Sequence, residues 1–356
     1  MNLTRRRALK GSAGALALGS LAGCLDDVDA SGGEFDSAYA AFFALADWSQ
    51  AVAGDAATIE NPVEYGQLGH GWEPDGDLPR EVASTNAFVY LDTPEFSWAQ
   101  DLASTLEADY ETVAAVDALD GLESEMIENS HDHGGEADDE DDHGHENETE
   151  DDHTDEDDHG HEEDDADGHD DHEGEERGQL DPHVWVDPVL GQEMVDTIAA
   201  AFAEIDPDNS ETFETNAAAY KERLAELDSQ YQALVDDAET STVVLASHSS
   251  FAYVEDRYGF DIHTVTGISP DAEPSNAEIS ETLDLVDEIG TDVILYDRFE
   301  SDRLAKTIVD NTDATEAVPI TAGAGTTSEW AAEGVDFIEQ MEEVTLPAFG
   351  RALGAE

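Results

Sequence analysis

The sequence predicts an α/β protein with two lobes, each a mainly parallel sheet flanked by helices, joined by one long rigid helix. Residues 210–237 contain no Gly or Pro, and their apolar residues recur every three to four positions, which predicts a helix roughly 42 Å long. On either side, short apolar runs alternate with helical segments, a pattern typical of parallel sheets covered by helices. This places the N-terminal lobe at 34–207, the linking helix at 208–237 and the C-terminal lobe at 238–356.

The first lobe begins with apolar residues at helical spacing, which predicts a helix over 35–53. A strand is predicted over 58–65, where Pro62 and Gly66 act as breakers. The remaining elements of this lobe are predicted as strands at 87–91 and 112–116, and helices at 96–106 and from about 188 to 204.

The second lobe repeats the alternation of short apolar runs and helical segments. Strands are predicted at 242–246, 261–266, 293–296 and 317–320. Helices are predicted at 251–258, 276–289, 303–311 and 328–353. The bulk of the chain shows no internal sequence repeat.

Acidic residues dominate the charge of the chain. The 356 residues carry 89 Asp and Glu against 13 Lys and Arg, a formal net charge of -76. The excess is a property of the whole surface, because 63 acids remain outside the richest acidic segment. Such a surface is typical of a halophilic protein, since about 1 M salt screens charges over roughly 3 Å. It argues against nucleic acid as a partner.

The N-terminus indicates export and a membrane tether. Three arginines at 5–7 precede a short apolar run over 11–21, and this resembles a twin-arginine signal. The following Leu-Ala-Gly-Cys resembles a lipobox, so the signal is expected to span 1–24, with lipidation of Cys24. An uncleaved anchor is the alternative, although the run is short for a membrane span. Residues 25–33 are interpreted as a flexible spacer, which places the lobes on the outer face of the membrane.

Residues 131–176 consist almost entirely of His, Asp, Glu and Gly, and are expected to form a disordered loop. Imidazole and carboxylate bind borderline divalent metals, so this tract is predicted to be an auxiliary, low-affinity metal collector. A plain acidic linker is the alternative, but it would not need the repeated His-Gly-His. The tract holds nine of the 13 histidines: His131, His133, His143, His145, His153, His159, His161, His169 and His172.

Four histidines lie outside the tract. His70, His183 and His248 occupy predicted loops or strand ends, whereas His263 lies within the predicted strand 261–266. Ligands of open α/β sheets bind beyond the carboxyl ends of strands. Three imidazoles from separate loops, with one open position, suit a tetrahedral zinc site if they converge. Taken singly, a histidine in such a context is more often structural than a metal ligand, so the interpretation depends on their convergence. Cys24 is the only cysteine, so a Cys-based zinc site and an intrachain disulfide are excluded.

Several runs of the chain resemble the metal-specific solute-binding proteins of ABC importers, in their zinc-type group (cluster A-I). Asp-Pro-His-Val-Trp at 181–185 is the most specific, supported by Ala-Glu-Pro-Ser at 272–275. The other matching runs are 61–66 with 70–74, 247–253 with 258–259, and 267–271. The resemblance covers about 35–353. It implies two lobes bridged by a long helix with metal in the cleft. It also implies a lipid-anchored monomer that works with an ABC permease and its ATPase.

The resemblance implies that His70, His183 and His248 bind the metal. Manganese members tend to have a carboxylate where His248 stands, and three nitrogens favour Zn²⁺ over Mn²⁺. The family often supplies an acid after the last strand, where this chain has Thr321. Water or Asp297 is therefore the candidate fourth ligand, with a capping or solvated role as the alternative for Asp297.

Two further residues lie in or near these motifs. Glu73 is either a residue that orients His70 or a solvated loop carboxylate. His263 is interpreted as structural.

The function that follows is capture of Zn²⁺ outside the cell and its delivery to a membrane permease. A manganese-binding or adhesin-type homologue is the nearest alternative. A three-His zinc hydrolase is the other, with water in the open position. The chain has no His-Glu-x-x-His motif and no clear general base beside the candidate site, so we expect it not to be an enzyme.

Overall fold

The computed structural model describes residues 35–110, 112–128, 180–269 and 273–355. The signal at 1–24 with Cys24, the spacer at 25–33 and the tract at 131–176 with its nine histidines lie outside the described residues.

Within those ranges, eight strands form two four-stranded sheets in which every pairing is parallel. The first sheet contains β1 (Ser37–Ala40), β2 (Thr58–Glu60), β3 (Ala87–Tyr90) and β4 (Ala114–Asp117). The second contains β5 (Thr242–Leu245), β6 (Asp261–Thr264), β7 (Val293–Asp297) and β8 (Glu316–Ile320). All four residues of β3 are buried, as expected for a strand covered on both faces. The two parallel-sheet lobes predicted from the sequence are therefore confirmed.

Helices flank both sheets. Those of the first lobe are α1 (Phe43–Ala53), α2 (Leu78–Val82), α3 (Ser97–Asp109) and α4 (Pro188–Ile205). The linking helix is α5 (Ser210–Asp236). Those of the second lobe and the chain end are α6 (Ala252–Tyr258), α7 (Asn276–Ile289), α8 (Arg303–Asn311), α9 (Ser328–Glu333), α10 (Phe337–Gln340) and α11 (Leu346–Leu353).

No helix in the described part of the chain is both long and apolar enough to cross a membrane.

Helix α5 joins the lobes along its length. It buries one face, with residues at three- to four-residue spacing: Phe213, Ala217, Tyr220, Leu224, Leu227 and Tyr231. At 1.5 Å per residue its 27 residues extend about 40 Å. It contacts α1 and α4 of the first lobe, and α6 and α11 of the second. One continuous core therefore includes residues from both sheets.

The start of the first lobe differs from the sequence prediction. The helix expected over 35–53 begins only at Phe43, because the preceding residues form strand β1. Ala38 and Ala40 are fully buried and alternate with half-buried neighbours, a period of two that is hard to see among small residues. Pairing with β2 and β3 on either side makes β1 a central strand and overrides the helical spacing.

The closing helix expected over 328–353 is also interrupted. Gly334 ends α9 with a φ of 76°, and α10 begins after the cap formed by Asp336. A five-residue π-helix, Met341–Thr345, then connects α10 to α11. The sequence pattern missed these breaks because apolar residues continue at helical spacing across them.

The strand order places loops from both lobes around one cleft. The orders are β2-β1-β3-β4 and β6-β5-β7-β8. In each sheet the first strand has its next two strands on opposite sides, which opens a crevice beyond the carboxyl ends of the strands. The loops after β2 and β8 meet at this crevice, where the Gly66 backbone N–H donates to the Thr326 carbonyl. The loops after β5 and β7 meet there through the contact of His248 with Glu300.

Candidate metal centre

Three imidazoles converge in the cleft. His70, His183 and His248 each offer a nitrogen, and these nitrogens all lie within 4.8 Å of one another. The ring centroids are 5.1–5.4 Å apart, and each residue is at most 5 % exposed. The structure therefore brings together the three histidines that the sequence analysis selected. Two come from the first lobe and one from the second.

His70 lies on the loop that follows β2. The preceding Gly69 packs so closely that a Cβ there would be 2.5 Å from Phe42 Cβ, so only glycine fits. The indole Nε1–H of Trp98 donates to the Gly69 carbonyl at 3.0 Å and holds this loop against α3. Burial lowers the pKa of His70 well below its ordinary value, and His183 and His248 lower it further. The ring is therefore neutral at neutral pH and its lone pair is available to a cation.

His183 is oriented by a carboxylate two residues earlier. Asp181 Oδ1 accepts from the His183 backbone N–H at 2.8 Å and lies 2.9 Å from the ring Nδ1. Because an ionised carboxylate only accepts, Nδ1 donates to Asp181, and Nε2 is the ring atom left to bind a metal. His183 Nε2 is buried and has no hydrogen-bond partner among the described residues.

His248 is oriented in the same way by a residue distant in sequence. It follows β5, and its Nδ1 donates to the carboxylate of Glu300 on the loop after β7. Its Nε2 is buried and likewise unpartnered within the described residues. Two buried ring nitrogens that have no hydrogen-bond partner among the described residues, beside the imidazole of His70, form a group of atoms that can bind a cation together.

The donor set suits a borderline divalent metal. Three imidazole nitrogens with an open fourth position match tetrahedral zinc coordination. A second hydrogen bond from the ligating ring to a carboxylate is the usual way to fix its tautomer and orientation. His183 and His248 both have this arrangement.

Asp297 is buried, so it is not a solvated acid. It does accept a hydrogen bond from a nearby backbone N–H, as a capping residue would. Its Oδ1 accepts from the Phe299 backbone N–H at 2.7 Å, and its Oδ2 has no partner among the described residues. Burial raises the pKa of Asp297 to about 6, although the nearby His248 ring and the hydrogen bond from the Phe299 backbone N–H oppose that rise. Asp297 is not a member of the group whose ligand atoms lie within 4.8 Å of one another.

Glu73 and His263 do not belong to the group of ligand atoms within 4.8 Å, and Thr321 has a different partner. Thr321 is fully buried, and its hydroxyl accepts from the Gly323 backbone N–H at 3.0 Å. Glu73 is exposed on its loop, and no hydrogen bond joins it to His70 within the described residues. His263 contacts the Thr282 hydroxyl on α7 through Nε2, at 2.9 Å.

Sequence reasoning missed both carboxylates that hold the rings. Asp181 stands inside the Asp-Pro-His-Val-Trp run, and its two-residue spacing from His183 could have revealed it. Glu300 is 52 residues from His248 and carries no local signal, so only the fold reveals it.

Two cavities adjoin the centre, with volumes of about 840 and 740 Å³, and both are lined by His70. Carboxylates line each: Glu73, Glu95 and Asp101 in the first, and Glu273 and Glu300 in the second. Burial raises the pKa of Glu95. The negative charge of carboxylates that line the cavities beside the buried nitrogens favours the approach of a cation.

The class of protein follows from comparison with known sequences. The sequence model of the family described as "ZnuA: Zinc-uptake complex component A periplasmic" matches residues 39–346. The chain therefore belongs to this family. The zinc-binding lipoprotein AdcA of Streptococcus pneumoniae (strain ATCC BAA-255 / R6) is 30% identical over 273 residues, covering 75% of this chain and 46% of AdcA.

A second relative and a solved structure are also similar to this chain. The high-affinity zinc uptake system protein ZnuA of Bacillus subtilis is 32% identical over 164 residues, covering 46% of this chain and 51% of the relative. The chain spans about half the length of the curated relatives it matches. The crystal structure of the Zn(II)-bound ZnuA-like domain of S. pneumoniae AdcA superposes with a TM-score of 0.66 at 25% identity, covering 90% of this chain and 99% of that domain.

Proposed function

We propose that this chain is the extracytoplasmic, substrate-binding component of an ABC zinc importer. In this role it captures Zn²⁺ through His70, His183 and His248 and delivers the ion to a membrane permease driven by its ATPase. The observation that carries the proposal is the meeting of three buried imidazoles from separate loops, with ligand atoms within 4.8 Å. Membership of the zinc-uptake family supports it.

Zinc is favoured over manganese by the chemistry of the donors. Three neutral nitrogens suit Zn²⁺, whereas Mn²⁺ prefers oxygen ligands. The fourth position is assigned to water, because Asp297 lies outside the three-nitrogen group. Asp297 then acts as a nearby buried negative charge that favours a cation. Two relatives carry zinc in their names, which supports the same cargo.

Ligands from both lobes would couple metal occupancy to lobe geometry. His70 and His183 belong to the first lobe, and His248 to the second. A bound ion interacts with all three and therefore stabilises the arrangement in which the lobes hold them together. A permease that contacts both lobes could then distinguish the loaded from the empty protein.

The N-terminal and His-rich segments complete the proposal. Lipidation at Cys24 would tether the protein, as a monomer, to the outer face of the membrane. The nine histidines within 131–176 would serve as a low-affinity collector, because unordered ligands rarely hold one ion tightly. The activity proposed is binding and transfer, without catalysis.

The test is a zinc competition titration against a chromophoric chelator, combined with metal analysis of the purified protein. Replacing His70, His183 or His248 by Ala should weaken the tight site roughly a hundredfold or more, because a few ligands share about 10–16 kcal/mol of binding free energy. His263→Ala is the matched control and should change affinity less than about threefold, since it lies outside the cluster. Tight zinc binding that survives in all three cluster variants would overturn the proposal.

A further inference from the structure

Glu300 occupies an unusual place beside the proposed centre. It lies on the loop after β7, and its carboxylate accepts the hydrogen bond from His248 Nδ1. Its side chain remains 18 % exposed at the edge of the 740 Å³ cavity, whereas the His248 side chain is 2 % exposed. It is absent from the group of potential metal ligands, and its contact is with the ring of His248.

His248 depends on this contact for its orientation. The hydrogen bond to Glu300 leaves Nε2 buried beside His70 and His183, with no partner in the part of the chain that the structure describes. Without Glu300, the ring could turn about its side-chain bonds, or present Nδ1 in place of Nε2, at little cost. The equivalent contact of His183 differs, because Asp181 also accepts from the His183 backbone N–H.

We infer that Glu300 is a positioning residue of the metal centre: it holds His248 with Nε2 directed at the shared point of the three rings. This inference rests on the proposed function. The carboxylate acts in two ways. As a hydrogen-bond acceptor it fixes the tautomer and the ring plane, and as a negative charge it raises the basicity of the ligating nitrogen.

Two substitutions separate the hydrogen bond from the charge. Glu300→Gln keeps an oxygen that can accept from Nδ1–H but removes the charge, whereas Glu300→Ala removes both. Glu273→Ala is the matched control, because Glu273 lines the same cavity, is exposed, and is not part of the histidine group found among the described residues. The control measures the effect of losing one nearby negative charge without losing the contact.

The experiment uses the full-length protein, with zinc competition titrations and the visible absorption spectrum of the Co²⁺-loaded form. Glu300→Ala should weaken zinc binding about 10- to 100-fold and alter the Co²⁺ spectrum, as is common when the hydrogen-bond partner of a ligating histidine is lost. Glu300→Gln should recover most of the affinity and the parent spectrum. Glu273→Ala should stay within about threefold of the parent protein, because a single exposed charge is well screened. Melting of each metal-free variant shows that the fold is retained.

The outcomes are separable. An unchanged affinity and Co²⁺ spectrum in Glu300→Ala, alongside a large loss in His248→Ala, would overturn the positioning role and leave the proposed function intact. Equal losses in Glu300→Ala and Glu273→Ala would also overturn it, because charge alone would then explain the effect. No loss in His248→Ala would instead contradict the proposed function. If Glu300→Ala does not fold, Glu300→Leu takes its place, because leucine fills similar space without an acceptor. It should show the same 10- to 100-fold loss, and an unchanged affinity would overturn the positioning role.

Discussion

The two sheets share one strand order but hold their histidines by different means. In the first lobe, His183 is held by Asp181, two residues away, which accepts from both its backbone and its ring. In the second lobe, His248 is held through its ring by Glu300, 52 residues away on a neighbouring loop. The first arrangement is a property of a short chain segment. The second exists only once β5 and β7 lie side by side.

This difference predicts that removing Asp181 and removing Glu300 will destabilise the protein to different extents. Asp181 is buried and satisfies two donors, so its loss leaves both a backbone N–H and a ring N–H without a partner. Each such buried group costs about 1–3 kcal/mol. Glu300 satisfies the ring alone and sits at the edge of a cavity, where water can replace it.

Asp181→Ala should therefore give the largest effect. We expect a loss of about 3–5 kcal/mol in the free energy of unfolding of the metal-free protein, with weakened zinc binding as a second consequence. Chemical denaturation in the presence of a chelator measures the first quantity. In the same assay, Glu300→Ala should lower the free energy of unfolding by less than about 1 kcal/mol, because water can replace the carboxylate. Equal losses from the two variants would show that the two anchors are equivalent and that the contrast between lobes is wrong.

The same contrast between local and long-range contacts explains which parts of the fold and site could be predicted from the sequence. The alternation of strands and helices, and the uninterrupted run of α5, are local patterns, and they predicted both lobes and the helix between them. The loop contexts of His70, His183 and His248 selected the three residues that converge. Their convergence, the burial of Asp297 and the contact of Glu300 depend on pairings between distant strands, which no local pattern contains. Strand β1 was missed for a related reason, since its small residues become a strand only between β2 and β3.

A half-buried carboxylate, Asp47, joins the lobes away from the cleft. Asp47 on α1 accepts from the Tyr220 hydroxyl on α5 at 2.6 Å and from the Phe337 backbone N–H on α10 at 3.3 Å. Burial raises the pKa of Asp47 from 3.8 to about 6, although the bond from Tyr220 opposes the rise. Asp47 therefore differs from the anchors of the metal centre, because it holds helices together and contacts none of the three histidines.

Asp47→Asn should change the pH dependence of stability and leave zinc affinity unchanged. A carboxyl with a raised pKa in the folded state stabilises the fold below its unfolded pKa of 3.8 and loses that contribution as pH rises through about 6. Between pH 5 and 7.5 the wild-type protein should lose about 1.4 kcal/mol relative to the Asn variant, one pKa unit's worth. Urea denaturation of both proteins at the two pH values, at constant salt, measures the difference. Parallel pH profiles for the two would contradict the assignment.

The smallest effects are expected from two tryptophan substitutions, one that removes a contact within a lobe and one that removes a contact between the lobes. Trp98 donates to the Gly69 carbonyl beside His70, inside the first lobe, whereas Trp185 donates to the Ala322 carbonyl after β8, across the lobes, at 2.8 Å. Replacing either by Phe removes one hydrogen bond and keeps a ring, so each should cost about 1 kcal/mol and lower the melting temperature by roughly 2–4 °C.

Zinc titration then distinguishes the two tryptophans. Trp98→Phe removes the hydrogen bond that holds the loop carrying His70, so we expect zinc affinity to fall about threefold to tenfold. A loss of about 1 kcal/mol in binding free energy corresponds to about fivefold in the dissociation constant. Trp185→Phe should stay within about twofold, because the 3.0 Å bond that holds the His70 loop and the Asp181 contact to His183 both remain. An affinity loss in Trp185→Phe as large as that in Trp98→Phe would mean that the hydrogen bond between the lobes, and not only the loop within one lobe, sets the geometry of the three histidines.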